Sequence, residues 1–263
     1  RLLYATALLF HALSLLAKAH AITLPFLLLL MDIYPLKRLR IGEPGAAGRV
    51  PALLLEKAPF FLLAAGAAVL AILAQRHAGA LRPLEEHGLP ARLAVAAQSV
   101  AFYLGKTLLP TGLSPLYLLE ETVDPRQARF LLAAGVLAAL GLGLSLARRR
   151  FPAGLATFTS YLILVAPVCG LSQAGPQAMA DRYTYFATLP LAALAGAGCA
   201  VLFARCRPSP VLLAPLLFLM SLLGVATFRQ TTHWRDGESL WRRALAVNPE
   251  SFMANYNLGE ALA

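Results

Sequence analysis

Apolar positions in this chain come in long runs rather than in one-sided stripes. Eight runs can be marked: Leu2 to Leu16, His20 to Tyr34, Pro59 to Leu73, Leu93 to Leu109, Phe130 to Ala147, Phe151 to Leu171, Tyr183 to Ala204 and Val211 to Phe228. About 20 apolar residues carry a helix through a bilayer core, so runs of this kind read as membrane helices. Leu and Ala dominate, with scattered Gly, which suits helices packing closely in lipid. A transmembrane barrel would instead show alternating strands of about ten residues. The expected fold is all-α, a polytopic helical membrane bundle.

After Thr232 the rhythm changes. Leu240, Trp241, Ala244 and Leu245 form one apolar stripe, Pro249 interrupts it, and Ala254, Leu258, Ala261 and Leu262 begin another. This is a helix-turn-helix pattern, so the chain divides into a transmembrane domain, residues 1–230, and a helical tail, residues 231–263. The first apolar run is already under way at Leu2 and the last residues stop inside an amphipathic pattern, so both ends are expected to be cut from a longer sequence. Reading Arg1 to Ala21 as a secretory leader is the weaker alternative, because another apolar run follows at once.

Composition agrees with the pattern. With 59% hydrophobic and 14% charged residues and a mean hydropathy of +0.66, an ordinary soluble domain is excluded. A net charge of +10 would suggest nucleic acid in a soluble protein, but here the bases gather between apolar runs. Lys37, Arg38, Arg40 and Arg49 form one group, Arg148, Arg149 and Arg150 a second, and Arg205 with Arg207 a third. That is the signature of cytoplasmic loops; the partner it implies is the anionic membrane face, and no nucleic acid. Cys169, Cys199 and Cys206 show no metal or redox spacing and read as small core residues. The Ala, Leu and Arg richness is compatible with a bacterial inner-membrane protein.

Counting sides raises a difficulty. Two runs separate the second and third basic groups, as a shared cytoplasmic side requires, but three separate the first from the second. Either one run is not a full crossing or the first basic loop departs from the charge rule. The weakest run is Leu93 to Leu109, which carries Gln98, Ser99, Tyr103 and Lys106 and is suited to an interfacial or re-entrant helix. On this reckoning Lys18, the Asp181-Arg182 pair and the tail share the extracytoplasmic side.

The segment Gln177 to Leu189, QAMADRYTYFATL, places an acid, a base and two tyrosines at the mouth of a span. A charge inside hydrocarbon costs about 2.5–3.5 kcal/mol, so such residues either face a partner or anchor the helix at the interface, where Tyr and Arg are both at home. In the tail, Trp241, Ala244 and Pro249, followed by Leu258-Gly259, resemble the junction of two tetratricopeptide repeats. Gly237 and Asn255 depart from that pattern, and a plain juxtamembrane hairpin is the alternative. Taken in order, LSLLAKAHAITLPFLLLLMDIYP, YLGKTLLPTGLSPLY, ADRYTY and the tail resemble the transmembrane and tetratricopeptide repeat glycosyltransferases. These are relatives of the protein O-mannosyltransferases, with the C-type glycosyltransferase fold.

That resemblance implies transfer of a sugar from a polyprenyl-phosphate donor to an extracytoplasmic acceptor, with a protein acceptor or partner engaged through the repeats. It also places the catalytic acids, and most of the ligands of any divalent metal, in a large first external loop that has no counterpart here. The fragment would be the carrier-binding half, inactive alone. Lys18 is then the best phosphate ligand, with His20 beside it, and Arg182 the second, since a guanidinium grips phosphate with two parallel bonds. Asp181 is expected to orient Arg182 or to face a metal, and Tyr183 and Tyr185 to line a sugar or lipid site. Lys106 is a third cation. Snorkelling at a helix end and interfacial belts are the plain alternatives for the lysine and the tyrosines. Asp32, beside Lys37, reads as a boundary residue. The rival function is a non-catalytic membrane-anchored scaffold for protein-protein interaction; a transporter should show charges near the midplane and two related halves, neither of which is seen.

Single cysteines placed at Ala147 and Ala204 should react with impermeant reagents from the cytoplasm only, and cysteines at Gln177 and Gly237 from the opposite side. Labelling of Gln177 and Gly237 from different sides would contradict the two-crossing arrangement of the last spans.

Overall fold

A computed structural model of the chain describes residues 1–39, 43, 45–80, 88–120, 122–171, 175–205 and 210–263. Ten α-helices are described: α1 (Leu2–Ala17), α2 (Leu24–Ile33), α3 (Ala46–His77), α4 (Leu89–Leu108), α5 (Ala128–Leu146), α6 (Pro152–Val165), α7 (Thr184–Arg205), α8 (Pro210–Thr232), α9 (Gly237–Val247) and α10 (Phe252–Leu262). Each of the eight apolar runs is helical, so the fold is the expected all-α one. Helices α3, α5, α7 with the turn that leads into it, and α8 are long and apolar enough to cross a membrane, while α1, α2 and α6 are shorter apolar helices. Arg40, Cys206 and Arg207 lie outside the described residues.

Helix α3 begins well before the run at Pro59 that signalled it. Its 32 residues extend about 48 Å at 1.5 Å per residue, more than the ~30 Å hydrocarbon core. Glu56 and Lys57 mark where the apolar part starts, and their charges hid the continuity of the helix from a hydropathy reading. Pro59 removes one helical hydrogen bond, and α1 braces α3 on either side of it. The Tyr4 hydroxyl donates to the Glu56 carbonyl at 2.6 Å, and His11 Nε2 donates to the Phe60 carbonyl at 3.3 Å.

Lys57 is also the partner of Asp32. The two are 4% and 2% exposed and form an ion pair. Arg38 Nη1 adds a second contact to Asp32 Oδ1 at 2.9 Å, and Arg38 reaches Glu56 through Nη1 and Nη2 at 3.0 and 2.5 Å. Asp32 is therefore held by Lys57 and Arg38 rather than standing beside Lys37 as a boundary residue. Two acids and two bases cancel at this end of α2, which is how charges at membrane depth become tolerable.

Helix α4 bears on the odd crossing. Near its start, Arg92 Nη1 donates to the Leu171 carbonyl at 3.3 Å. Near its end, the Tyr103 hydroxyl accepts the Ala180 N–H at 3.1 Å. Both contacts fall on the connection between α6 and α7, so α4 lies across that end of the bundle and not through it. Its buried face, with Val95, Ala96, Ser99, Val100 and Tyr103, packs on α5 and on α6, where the fully buried Tyr161 donates to the Val100 carbonyl at 2.7 Å. Of the three helices between the first two basic groups, α3 and α5 are long and apolar enough to cross a membrane, and α4 is not among the candidate spans.

The tail is a helical hairpin. Asp236 caps α9 by accepting the Ser239 N–H at 2.8 Å, and that bond holds its carboxyl below the usual aspartate range. Ser251 caps α10 through the Ala254 N–H at 3.2 Å. A Cβ added to Gly237 would lie 3.4 Å from the Ala261 Cβ, so the start of α9 meets the end of α10 and the pair is antiparallel. Ala244 and Ala254 are buried between them.

Replacing Lys57 by Met leaves Asp32 with Arg38 as its cation and removes its buried partner, and removing one member of a buried pair costs about 3–5 kcal/mol. Lys57→Met should therefore lower the thermal midpoint of the detergent-purified protein, with Asp32→Asn restoring part of the loss. An unchanged midpoint in the single variant would contradict the buried pairing.

Candidate functional site

The two segments singled out in the sequence, YLGKTLLPTGLSPLY and QAMADRYTY, are bound together. Strand β1 (Tyr117–Leu118) pairs antiparallel with β2 (Gln177–Met179), with Tyr117 opposite Met179. Neither strand is signalled by periodicity, since two or three residues are too few to alternate. The loop before β1 wraps the turn after β2. Ser114 donates its backbone N–H to Asp181 Oδ2 at 2.5 Å, and the Tyr117 hydroxyl lies 3.1 Å from the same oxygen and 2.9 Å from the Gly112 carbonyl. Burial first, and then the Asp181 carboxylate, hold the Tyr117 phenol above its ordinary pKa, so it remains a donor whose single proton serves one of these oxygens at a time. Gly112 is in the left-handed region at φ +57°, where a side chain would be strained.

Asp181 does not orient Arg182. The Arg182 guanidinium reaches the Pro115 carbonyl at 3.3 Å and Gln177 Oε1 at 3.1 Å, while Gln177 Nε2 donates to the Tyr183 hydroxyl at 2.6 Å. Acid and base are each held by the neighbouring loop and not by each other. The expected pair fails because Asp181 takes two donors, the Ser114 N–H and the Tyr117 hydroxyl, from the loop after α4. Lys106 is likewise occupied. It donates to the Thr111 and Gly112 carbonyls and lies over the Phe102 and Tyr117 rings at 5.2 and 6.0 Å.

Lys18, distant in sequence, joins this end. Its Nζ lies 5.9 Å from the centre of the Tyr183 ring, and Arg182 Cζ lies 5.2 Å from the same centre. The two cations are thus within about 11 Å of each other. His20 is buried, with Nε2 donating to the Leu164 carbonyl at 2.9 Å and its ring stacked on Phe186 at 5.4 Å.

Two cavities flank this point. An apolar groove of about 480 Å³ runs between α2, α6 and α7, with His20, Leu27, Met31, Leu164, Phe186 and Leu189 among its walls. A polar pocket of about 360 Å³ lies on the other side, where Asp181 and Arg182 face Lys106, Tyr185, Gln230 near the end of α8, and Trp234 in the turn that follows it. Helix α7 supplies both. Phe186, Leu189, Pro190 and Ala193 follow the i, i+3, i+4, i+7 stripe that lines the groove, and Thr184, Tyr185 and Thr188 line the pocket. At 100° per residue the two stripes are about 140° apart. Arg182 and Tyr183 stand where they meet, at the start of the helix.

A divalent metal does not fit the donors here. Among the described residues no three His, Cys, Asp or Glu side chains come together, and Asp181 Oδ2 is taken by N–H and O–H donors with cations on either side. The residues that sequence reasoning missed are Tyr103, Ser114, Tyr117 and Gln177. For Ser114 and Tyr117 the signal was the turn chemistry of PTGLSPLY, whose partner lies more than 60 residues away.

Fold and site together describe a polytopic helical membrane protein, and about a third of the chain is similar in sequence to two known proteins. No protein-family model matches the chain, and no solved structure matches it. Over 89 residues it is 36% identical to a Drosophila melanogaster protein named Protein O-mannosyl-transferase Tmtc1, covering 32% of this chain and 10% of that relative. Over 86 residues it is 33% identical to Protein O-mannosyl-transferase Tmtc2 of the same fly, covering 32% of this chain and 9% of the relative. The chain spans about a tenth of the length of these curated relatives in the matched region.

Tyr103→Phe leaves the fully buried Ala180 N–H without its acceptor, at a cost of about 1–3 kcal/mol. Faster amide exchange at Ala180 and a lower thermal midpoint are expected. Wild-type exchange at Ala180 would show that Tyr103 does not hold this segment.

Proposed function

We propose that the chain is the carrier-binding part of a membrane glycosyltransferase that moves a sugar from a polyprenyl-phosphate donor to an acceptor, most simply a protein hydroxyl, on the extracytoplasmic side. The observation that carries this reading is the cationic mouth at the head of an apolar groove. The groove, walled by His20 and Phe186, takes an apolar chain. Lys18 and Arg182, gathered around Tyr183, take the phosphate, Lys18 through a flexible ammonium and Arg182 through its planar fork. The positive end of the α7 dipole, at Thr184, adds a favourable field for an anion. The paired tail helices continue, on this reading, as tetratricopeptide repeats that bring a polypeptide to the same mouth.

The charge and the groove can be tested apart. In lipid nanodiscs the protein should bind polyprenyl phosphate more tightly than the uncharged polyprenol. Arg182→Ala and Lys18→Ala should each weaken phosphate binding about 10- to 100-fold, since a hydrogen bond to a charged group is worth about 1.5–3 kcal/mol. Lys18→Arg should keep most of it. Wild-type affinity in both alanine variants would reduce these residues to membrane anchors.

A further inference from the structure

The geometry points to the polar pocket between Asp181 and Trp234 as a binding site for a single saccharide ring. A pyranose has two kinds of surface, C–H faces that stack on aromatic rings and an equator of hydroxyls that donate and accept. The pocket offers both. Tyr185 and Trp234 are 72% and 44% exposed, and both line the cavity, where rings with an apolar face and a polar tip are suited to a half-wet ligand. Asp181 and Gln230 supply acceptors, and Gln230 also an amide donor, for the hydroxyl edge.

Asp181 retains capacity for this role. Its Oδ2 takes the Ser114 N–H at 2.5 Å and the Tyr117 hydroxyl at 3.1 Å, whereas the nearest described donor to Oδ1 is the same hydroxyl at 3.4 Å. A carboxylate accepts about four hydrogen bonds, so Oδ1 is available to a ligand hydroxyl. The volume, about 360 Å³, falls at the small end of the range for ligand pockets, which suits one ring better than an oligosaccharide. Lys106 is spent on backbone carbonyls and two rings, leaving Arg182 as the cation at the pocket's inner wall.

The assignment rests on the proposed function in one respect. Arg182 borders the pocket and the cationic mouth alike, so a sugar in the pocket, a phosphate at Arg182 and an apolar chain in the groove form one path around the start of α7. The pocket itself makes a separate claim, that the ring is held by Trp234 and Asp181.

Saturation-transfer NMR on the whole chain in nanodiscs, with a free methyl hexoside as probe, tests that claim. Transfer to the ring hydrogens is expected in the wild type, in Trp234→Phe, which keeps an aromatic face, and in Lys18→Ala, which touches only the phosphate site. It should be lost in Trp234→Ala and in Asp181→Asn, the latter conserving shape. No transfer in the wild type, or undiminished transfer in both Trp234→Ala and Asp181→Asn, would overturn the saccharide site. So would transfer to phosphocholine but not to the hexoside, which would mark a lipid-headgroup site. Loss of hexoside contact with polyprenyl-phosphate binding intact would sink this inference alone; the converse would sink the carrier reading and leave the saccharide site standing.

Discussion

A carboxylate at the edge of hydrocarbon has to be given donors, and the way Asp181 receives them organises this end of the molecule. Its donors, the Ser114 amide and the Tyr117 hydroxyl, come from the loop after α4. Satisfying one acid therefore fastens that loop to the head of α7. The β1–β2 ribbon and the Tyr103–Ala180 bond fix the same two segments a few residues away. With Asp181 supplied from elsewhere, Arg182 is not neutralised by it. The guanidinium rests on two neutral acceptors, the Pro115 carbonyl and the Gln177 side chain, and lies over the Tyr183 ring that Lys18 also approaches.

The opposite end follows a different logic. Asp32, Arg38, Glu56 and Lys57 cancel one another and are fixed to α1 through Tyr4 and the Glu56 carbonyl. That cluster holds α2 against α3 and leaves no net charge to offer a ligand. At the Lys18 end the opposite holds: Lys18 and Arg182 share one aromatic ring, and among the described residues neither forms an ion pair. The contrast separates a charge cluster that is explained by folding from one that is not.

Hydropathy made the helices legible, because a run of Leu and Ala long enough to span has few other fates. It did not reveal where α3 starts, since Glu56 and Lys57 break the run while the helix continues through them on the strength of partners in α1 and α2. The topological doubt over Leu93 to Leu109 was readable from Gln98, Ser99 and Lys106, polar residues that a spanning helix must hide. Gathering Lys18 with Arg182 followed from counting sides. The partners of Asp181 did not follow, because a backbone N–H 67 residues away leaves no trace in local pattern; a neighbouring arginine was the nearer guess and the wrong one. The polar pocket was invisible for the same reason, being assembled from α4, α7 and α8.

The account turns on α7 presenting two different faces to the two parts of one ligand. A photoactivatable polyprenyl phosphate carrying a diazirine near the first isoprene units, cross-linked in nanodiscs and mapped by peptide mass spectrometry, tests this most directly. Labels on Phe186, Leu189 and Ala193, with companions on Leu27 and Met31, are predicted. Labels on Tyr185 and Thr188, or along α8, would contradict it by placing the apolar chain on the polar side of the helix.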